Sequence, residues 1–86
     1  MKTSIEISYY PLNDEYKAPI KKFIASLQAH ENIIVKPNAI STHVFGEYDD
    51  VMAAITSCMR NAMELPHSIF ILKILNSDRN KEIHID

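Results

Sequence analysis

The chain has 86 residues, a formal net charge of −2, and a composition that is 47% hydrophobic and 23% charged. One domain of this length leaves no room for a second core, and a near-neutral chain with no basic run longer than Lys21-Lys22 argues against a nucleic-acid partner. No stretch approaches the roughly 20 apolar residues of a transmembrane helix and the N-terminus lacks the apolar core of a signal peptide, so we expect one cytoplasmic domain over residues 1–86.

The first predicted elements are a strand and a helix. Residues 3–10 alternate, with Ile5, Ile7 and Tyr9 on one side, which indicates a strand with one face in the core, ended by Pro11. A helix is expected to begin near residues 16–18, because a proline at position 19 suits a first turn. Its core-facing side chains follow a spacing of three and four, and they are Ile20, Phe23, Ile24 and Leu27. We expect Asn32 to stop this helix in a left-handed conformation.

The rest of the chain repeats this plan. The segment "IIVKP" is a short second strand with Pro37 at its end, and "AISTHVFGEY" is a third strand. A second helix is expected to open at Asp49 or Asp50 and to close at Leu65-Pro66. Its apolar positions are Val51, Met52, Ile55, Met59, Ala62 and Met63. The segment "SIFILKIL" is a β-rich fourth strand, and residues 78–86 are expected to be a polar tail in which Ile83 and Ile85 leave a weak fifth strand open.

The order βαββαβ predicts an α+β domain with the ferredoxin-like arrangement. Right-handed crossovers then give a four-stranded antiparallel sheet with both helices on one face. The second face must therefore meet solvent, a ligand or another subunit.

Alternation of side chains predicts which residues lie on that open face. They are Ser4, Glu6, Ser8 and Tyr10 from the first strand, Ser41, His43, Phe45 and Glu47 from the third, Ile69, Ile71 and Lys73 from the fourth, and either Ile34 and Lys36 or the alternate set from the second. Exposed aromatic and branched apolar side chains beside polar groups are unusual on a free monomer. We interpret the face as a subunit interface that also holds a small molecule, and an interface without a ligand stays open.

The sequence lacks the common catalytic and metal-binding signatures. A single glycine cannot build a glycine-rich phosphate loop. The four histidines, His30, His43, His67 and His84, show no metal-ligand spacing, and the lone Cys58 is expected to be a small buried residue without a disulfide. We therefore predict no catalytic residue, no metal and no cofactor.

Three polar residues and one glycine remain to be assigned. Ser41 and His43 share a strand face, but no acid orients the histidine in sequence, so a hydrogen-bonding pair is favoured over a nucleophile and base. Glu6 could act as a base, accept hydrogen bonds from a ligand amine, or pair with Lys73. Gly46 either adopts a backbone conformation closed to other residues, allows a close approach of another backbone, or forms a simple bulge or turn.

Three segments together resemble the YkoF-like thiamine-binding protein family. They are "IEISYYPL", "NAISTHVFGEYDDVMAAI" and "ILKILNSDRNK", and they span the chain from Ile5 to about Lys81. The Tyr-Pro-Leu at the end of the first strand and the pieces Ser41-Thr42 and Gly46-Glu47 are the most specific parts. This sequence has Glu31-Asn32 where relatives usually have Ser-Gly, and His43 adds a titratable group behind the Ser-Thr pair.

The resemblance implies a ferredoxin-like fold, dimers or tetramers assembled through their sheets, and binding of thiamine or its hydroxymethylpyrimidine half without established catalysis. Carried over by position, Glu6, Ser8 and Tyr10 match the first strand of the family, and Ser41 and Thr42 match its Ser-Thr motif. The predicted ligand-binding residues are Glu6, Ser8, Tyr10, Ser41, Thr42, His43 and Phe45.

Such a ligand suits these residue types. Tyr10 or Phe45 could stack on a flat aminopyrimidine, while Glu6 and the Ser41 and Thr42 hydroxyls could pair with its amine and ring nitrogens. A carboxylate or an aromatic face would favour the cationic thiazolium ring. The sequence thus predicts a cytoplasmic, non-enzymatic homo-oligomer that binds thiamine or a pyrimidine precursor. The alternatives are an oligomerisation module without a ligand, and a small dimeric α+β-barrel enzyme with a deep cavity between helices and sheet around a polar residue.

Overall fold

A computed structural model of the protein describes residues 1–80. Six elements follow in chain order: β1 (Lys2–Pro11), α1 (Lys17–Gln28), β2 (Ile33–Pro37), β3 (Thr42–Glu47), α2 (Tyr48–Ala62) and β4 (Ser68–Leu75). The strands form one antiparallel sheet in the order β2-β3-β1-β4. This confirms the predicted ferredoxin-like βαββαβ fold.

Strand register decides which side chains face the helices. Ile5 lies opposite Val44 and Ile74, and Ile7 lies opposite Thr42 and Leu72. These residues share the helix-covered face. The buried core combines side chains of β1 and β3 with side chains of both helices: Ile5, Ile7, Tyr9, Phe23, Leu27, Val44, Val51, Ile55 and Cys58. The predicted alternation in β1 and the predicted burial of Cys58 are thereby confirmed.

The end of α1 differs from the prediction. The helix begins at Lys17, within the predicted range, and ends at Gln28 with Ala29 still in right-handed geometry. The amides of Ala29 and His30 bond to carbonyls one turn back, so the terminal carbonyls are satisfied without a left-handed residue. Within residues 1–80 the non-glycine residue with positive φ is His67, at 64°, and the left-handed stop predicted at Asn32 was wrong.

Gly46 is required by close packing on the helix-covered face. A Cβ atom at this position would lie 3.2 Å from Val51 Cγ2 and 3.3 Å from the Asn32 carbonyl oxygen. Its φ of 157° is also one that L side chains rarely adopt. Because α2 follows β3 without a loop, the first turn of the helix presses directly on this strand end. Close approach and the φ value both favour glycine here, so two of the predicted explanations apply.

The second helix begins close to its predicted start. Helix α2 begins at Tyr48, one residue earlier than predicted, and Asp49 and Asp50 occupy its first turn, where carboxylates favour the helix dipole. The last part of the predicted polar tail, including His84 and the fifth strand considered at Ile83 and Ile85, lies outside the described residues. Neither helix in residues 1–80 is long and apolar enough to cross a membrane.

Candidate functional site

A row of four directly opposed residues crosses the middle of the open sheet face. Lys36 on β2 lies opposite His43 on β3, His43 lies opposite Glu6 on β1, and Glu6 lies opposite Lys73 on β4. We call these four residues the charged row. Of the two sets considered for β2, the structure selects Ile34 and Lys36 for the open face. Three of the four residues, Glu6, Lys36 and Lys73, carry charge at neutral pH, so the row forms the polar centre of an otherwise mixed surface.

Glu6 is contacted by the side chains of Ser41, His43 and Lys73. The hydroxyl Oγ of Ser41 donates a hydrogen bond to Glu6 Oε2 at 3.2 Å. His43 Nε2 lies 3.4 Å from the same oxygen, and Lys73 Nζ lies 3.6 Å from Oε1. The Ser41 hydrogen bond, followed by the charge of Lys73, lowers the pKa of Glu6 below its ordinary value. Glu6 is therefore ionised at neutral pH and acts as an acceptor of hydrogen bonds.

This geometry defines what the site can do chemically. A carboxylate with a lowered pKa is a weak general base near neutral pH but a good acceptor for an amine. Ser41 and His43 both meet the same oxygen of Glu6, so the serine proton is directed to the carboxylate and not to the imidazole. Ser41 and His43 are thus joined through Glu6, and the hydrogen-bonding pair that the sequence favoured is not formed directly between them.

The open face is covered at one end by the chain that follows β4. Ser4 Oγ donates to the Ser77 carbonyl at 2.7 Å and accepts from the Arg79 amide at 2.8 Å. We call residues 76–80 the strap. Ser4 and its neighbour across the sheet, Phe45, are only 7% and 6% exposed although both belong to the open face. The strap thus forms a wall beside the charged row, and no local pattern in the sequence reveals it, because Ser4 and Ser77 are 73 positions apart.

Phe45 supports the site instead of offering a stacking surface. With 6% of its area exposed, its ring cannot lie flat against a ligand. The His43 ring stands edge-on to it with 6.2 Å between centroids, and Lys36 Nζ lies 5.7 Å from its centroid. The stacking role considered for Phe45 is therefore not available in this structure, whereas its contacts hold two members of the charged row.

The opposite end of the open face is apolar and exposed. Tyr10 lies opposite Ile69, and Ser8 lies opposite Ile71. The exposed fractions of Tyr10, Ile69 and Ile71 are 47%, 44% and 60%. Tyr10 is four residues from Glu6, about 13 Å along the strand at about 3.3 Å per residue. Ser8 and Tyr10 thus share the face with Glu6, with Tyr10 outside direct contact distance.

Thr42 and Glu47, two other residues singled out from the sequence, do not lie beside Glu6. Thr42 lies on the helix-covered face opposite Ile7 and is 6% exposed, so the structure does not bring it together with Ser41 and His43. Glu47 is held at the far end of β3 by the N-terminal ammonium at 3.0 Å and by Lys2 at 3.3 Å. These contacts lower the pKa of Glu47, the N-terminal hydrogen bond most strongly.

A second concavity lies between α1 and α2, away from the open face. Its volume is about 670 Å³, and Tyr9 and Phe23 contribute to its apolar lining while Glu15, Lys22 and Glu64 bring charge. Tyr9 Oη and Ser68 Oγ share a hydrogen bond of 3.0 Å. A cavity between helices and sheet is the feature expected of the enzyme alternative. We call this cavity the interhelical groove.

The groove includes a thiol and lies near an imidazole. Cys58 Sγ is 3.7 Å from His30 Nε2. Cys58 is 3% exposed, and a thiol buried among apolar side chains is unreactive. Among residues 1–80 no group of three or more His, Cys, Asp and Glu side chains is placed to hold a metal ion.

No protein-family model and no curated protein sequence matches the chain. Solved structures do match. Protein SP2199 from Streptococcus pneumoniae is 26% identical, with a TM-score of 0.82 over 92% of this chain and 90% of its own. Protein MJ1052 from Methanocaldococcus jannascii is 24% identical, with a TM-score of 0.76 over 98% of this chain and 88% of its own.

A third similar structure has a name that refers to a process. It is protein TM0486 from Thermotoga maritima, named for a proposed role in thiamine biosynthesis or salvage. Its sequence is 17% identical, and its TM-score is 0.76 over 86% of this chain and 82% of its own. At this identity the likeness shows a shared fold, which this chain has in common with bacterial and archaeal proteins of similar length.

Proposed function

We propose that the protein binds thiamine or its hydroxymethylpyrimidine half on the open sheet face, as a non-enzymatic cytoplasmic homo-oligomer. The observation that carries the proposal is the ionised Glu6, held on an accessible face by Ser41, His43 and Lys73. The segments that contain Glu6 and Ser41 are also those that resemble the YkoF-like family. The fold shared with the Thermotoga protein named for thiamine metabolism gives further support.

The charged row suits an aminopyrimidine. The exocyclic amine of the ligand would donate to Glu6, whose side chain is 43% exposed and keeps acceptor capacity beyond its present contacts. The ring nitrogens would accept from Lys73 or His43, which are both exposed enough to turn toward a ligand. Each hydrogen bond to a charged group is worth about 1.5–3 kcal/mol when water is excluded.

The distance between Glu6 and Tyr10 favours a ligand with two rings over a ligand with one. A single pyrimidine ring held by Glu6 does not reach a side chain about 13 Å farther along β1. A ligand with two rings extends toward Tyr10, whose aromatic face would attract a thiazolium cation. If Glu6 holds the pyrimidine, thiamine therefore gains a contact that hydroxymethylpyrimidine alone does not make.

The apolar end of the open face supports self-association. Tyr10, Ile69 and Ile71 together expose a contiguous apolar surface beside the charged row. A domain of this size buries only roughly 60–65% of the surface that its unfolded chain exposes, so a second copy packed on this surface would add to its stability. The partner that we propose for this end of the sheet is another copy of the chain.

The experiment is isothermal titration calorimetry of the purified protein with thiamine and, separately, with hydroxymethylpyrimidine. We expect saturable binding that is weakened about tenfold to a hundredfold by Glu6→Gln and by Ser41→Ala, because each removes one hydrogen-bond partner. Asn61→Ala, which changes the lining of the interhelical groove, is the matched control.

The outcomes separate the alternatives. If Asn61→Ala weakens binding while Glu6→Gln and Ser41→Ala do not, the groove is the site and the enzyme alternative gains support. If neither compound produces heat or a thermal shift, the open face is an interface without this ligand. Unchanged affinity in all three variants rejects both locations.

A further inference from the structure

The charged row contains more positive than negative charge. Glu6 is compensated by Lys73, with 3.6 Å between Nζ and Oε1, and by the Ser41 hydroxyl. Lys36 has no carboxylate within ion-pair distance among residues 1–80. The half of the row on β2 and β3 therefore holds an uncompensated ammonium beside an imidazole.

The buried ring of Phe45 holds these two groups on the same side of Glu6. Lys36 Nζ lies 5.7 Å from the ring centroid, where the aromatic face attracts the cation without neutralising it. His43 stands edge-on to the same ring, at an interplanar angle of 88°. Since Lys36 and His43 are directly opposed on neighbouring strands, their side chains can approach one bound group together.

We infer that the Lys36–His43 half of the charged row is an anion subsite that takes a phosphate group, so that the preferred ligand is a phosphate monoester. This rests on the proposed function, and it names hydroxymethylpyrimidine phosphate, whose amine and phosphomethyl group are on adjacent ring carbons, as the ligand form. The amine of such a ligand meets the carboxylate of Glu6, and its phosphate meets the ammonium of Lys36 and the imidazole of His43. The hydrogen-bond donor of the ligand then faces the carboxylate, and its anionic group faces the cation.

The spacing of the strands suits a ligand with these two ends. Neighbouring strands are about 4.8 Å apart, so the backbone positions of Lys36 and Glu6 are separated by about 10 Å with His43 between them. A flexible lysine side chain shortens that separation by leaning over β3, and lysine binds phosphate as a mobile point charge.

The test compares hydroxymethylpyrimidine with its phosphate ester by calorimetry in the same low-salt buffer. We expect the ester to bind about tenfold to a hundredfold more tightly than the unphosphorylated compound, the range of one or two charge-assisted hydrogen bonds. Lys36→Met should abolish this preference, because it removes the cation that meets the phosphate. Lys21→Met, on the exposed side of α1, is the control and should change neither affinity.

Each remaining outcome has a separate meaning. Equal affinities for ester and unphosphorylated compound overturn the anion subsite and leave the proposed function intact. A preference for the ester that survives in Lys36→Met places the phosphate elsewhere and overturns the assignment to Lys36 and His43. If thiamine, hydroxymethylpyrimidine and the phosphate ester all fail to bind, the proposed function fails and this inference fails with it.

Discussion

Ser41 donates a hydrogen bond to Glu6 across 3.2 Å, from the turn before β3 to the centre of β1. This contact is the largest cause of the lowered pKa of Glu6. Because a carboxylate with a lowered pKa is stabilised only when ionised, its contacts support the fold above the ordinary value of 4.5 and are lost as the pH falls through the lowered pKa.

We expect Ser41→Ala to raise the pKa of Glu6 back toward 4.5. Carbon-detected NMR titration of the side-chain carboxyls measures this directly. Glu47 serves as an internal control, since its pKa is lowered by the N-terminus and Lys2 and not by Ser41. A Glu6 pKa that is the same in wild type and variant would show that Ser41 does not hold the carboxylate in solution.

Gly46 gives a test of the contact between β3 and α2. Gly46→Ala should destabilise the protein by about 1–3 kcal/mol, through crowding and an unfavourable φ. The new Cβ would lie 3.2 Å from Val51 Cγ2, so the penalty should shrink when Val51 is also replaced by alanine. Urea unfolding of the two single variants and the double variant measures the coupling. Strict additivity would show that crowding against Val51 is not the cause.

The strap can be tested at Ser4, which holds it with two hydrogen bonds. Ser4→Ala should lower the free energy of unfolding by about 1–2 kcal/mol and accelerate hydrogen exchange of the Arg79 amide. Ser8→Ala, on the same strand and the same face, is the matched control and should leave Arg79 unchanged. Exchange of Arg79 at the rate of an unstructured peptide in the wild-type protein would argue against a docked strap.

If the open face is a subunit interface, a charge introduced there should disrupt the oligomer. Ile71→Glu should convert the oligomer to a monomer, because a carboxylate cannot be buried without a partner. Ile40→Glu is the control, since Ile40 is 87% exposed in the connection between β2 and β3. Light scattering coupled to size exclusion measures the mass of each. A wild-type monomer would reject the interface, and an oligomer unaffected by Ile71→Glu would place it on another surface.

The amino-acid sequence by itself determined the elements and the two sheet faces of this protein. Alternation of Ile5, Ile7 and Tyr9 with polar residues is a local signal with a period of two, and it assigned Glu6, Ser8 and Tyr10 to the open face. The ferredoxin-like order followed from the succession of such signals. The stop predicted at Asn32 failed because Ala29 and His30 complete the helix end with ordinary turn geometry, which residue type alone does not reveal.

Only the tertiary structure decided which of these residues meet. The charged row depends on the register of three strand pairs, and one residue of slip in a strand would move its members to the other face. The same register sends Thr42 to the core although its neighbours Ser41 and His43 face Glu6. The strap bonds residues more than 70 positions apart, and Phe45 is buried on a face where alternation alone leaves it exposed. Such contacts arise from packing between distant segments, so they cannot be inferred from composition or periodicity.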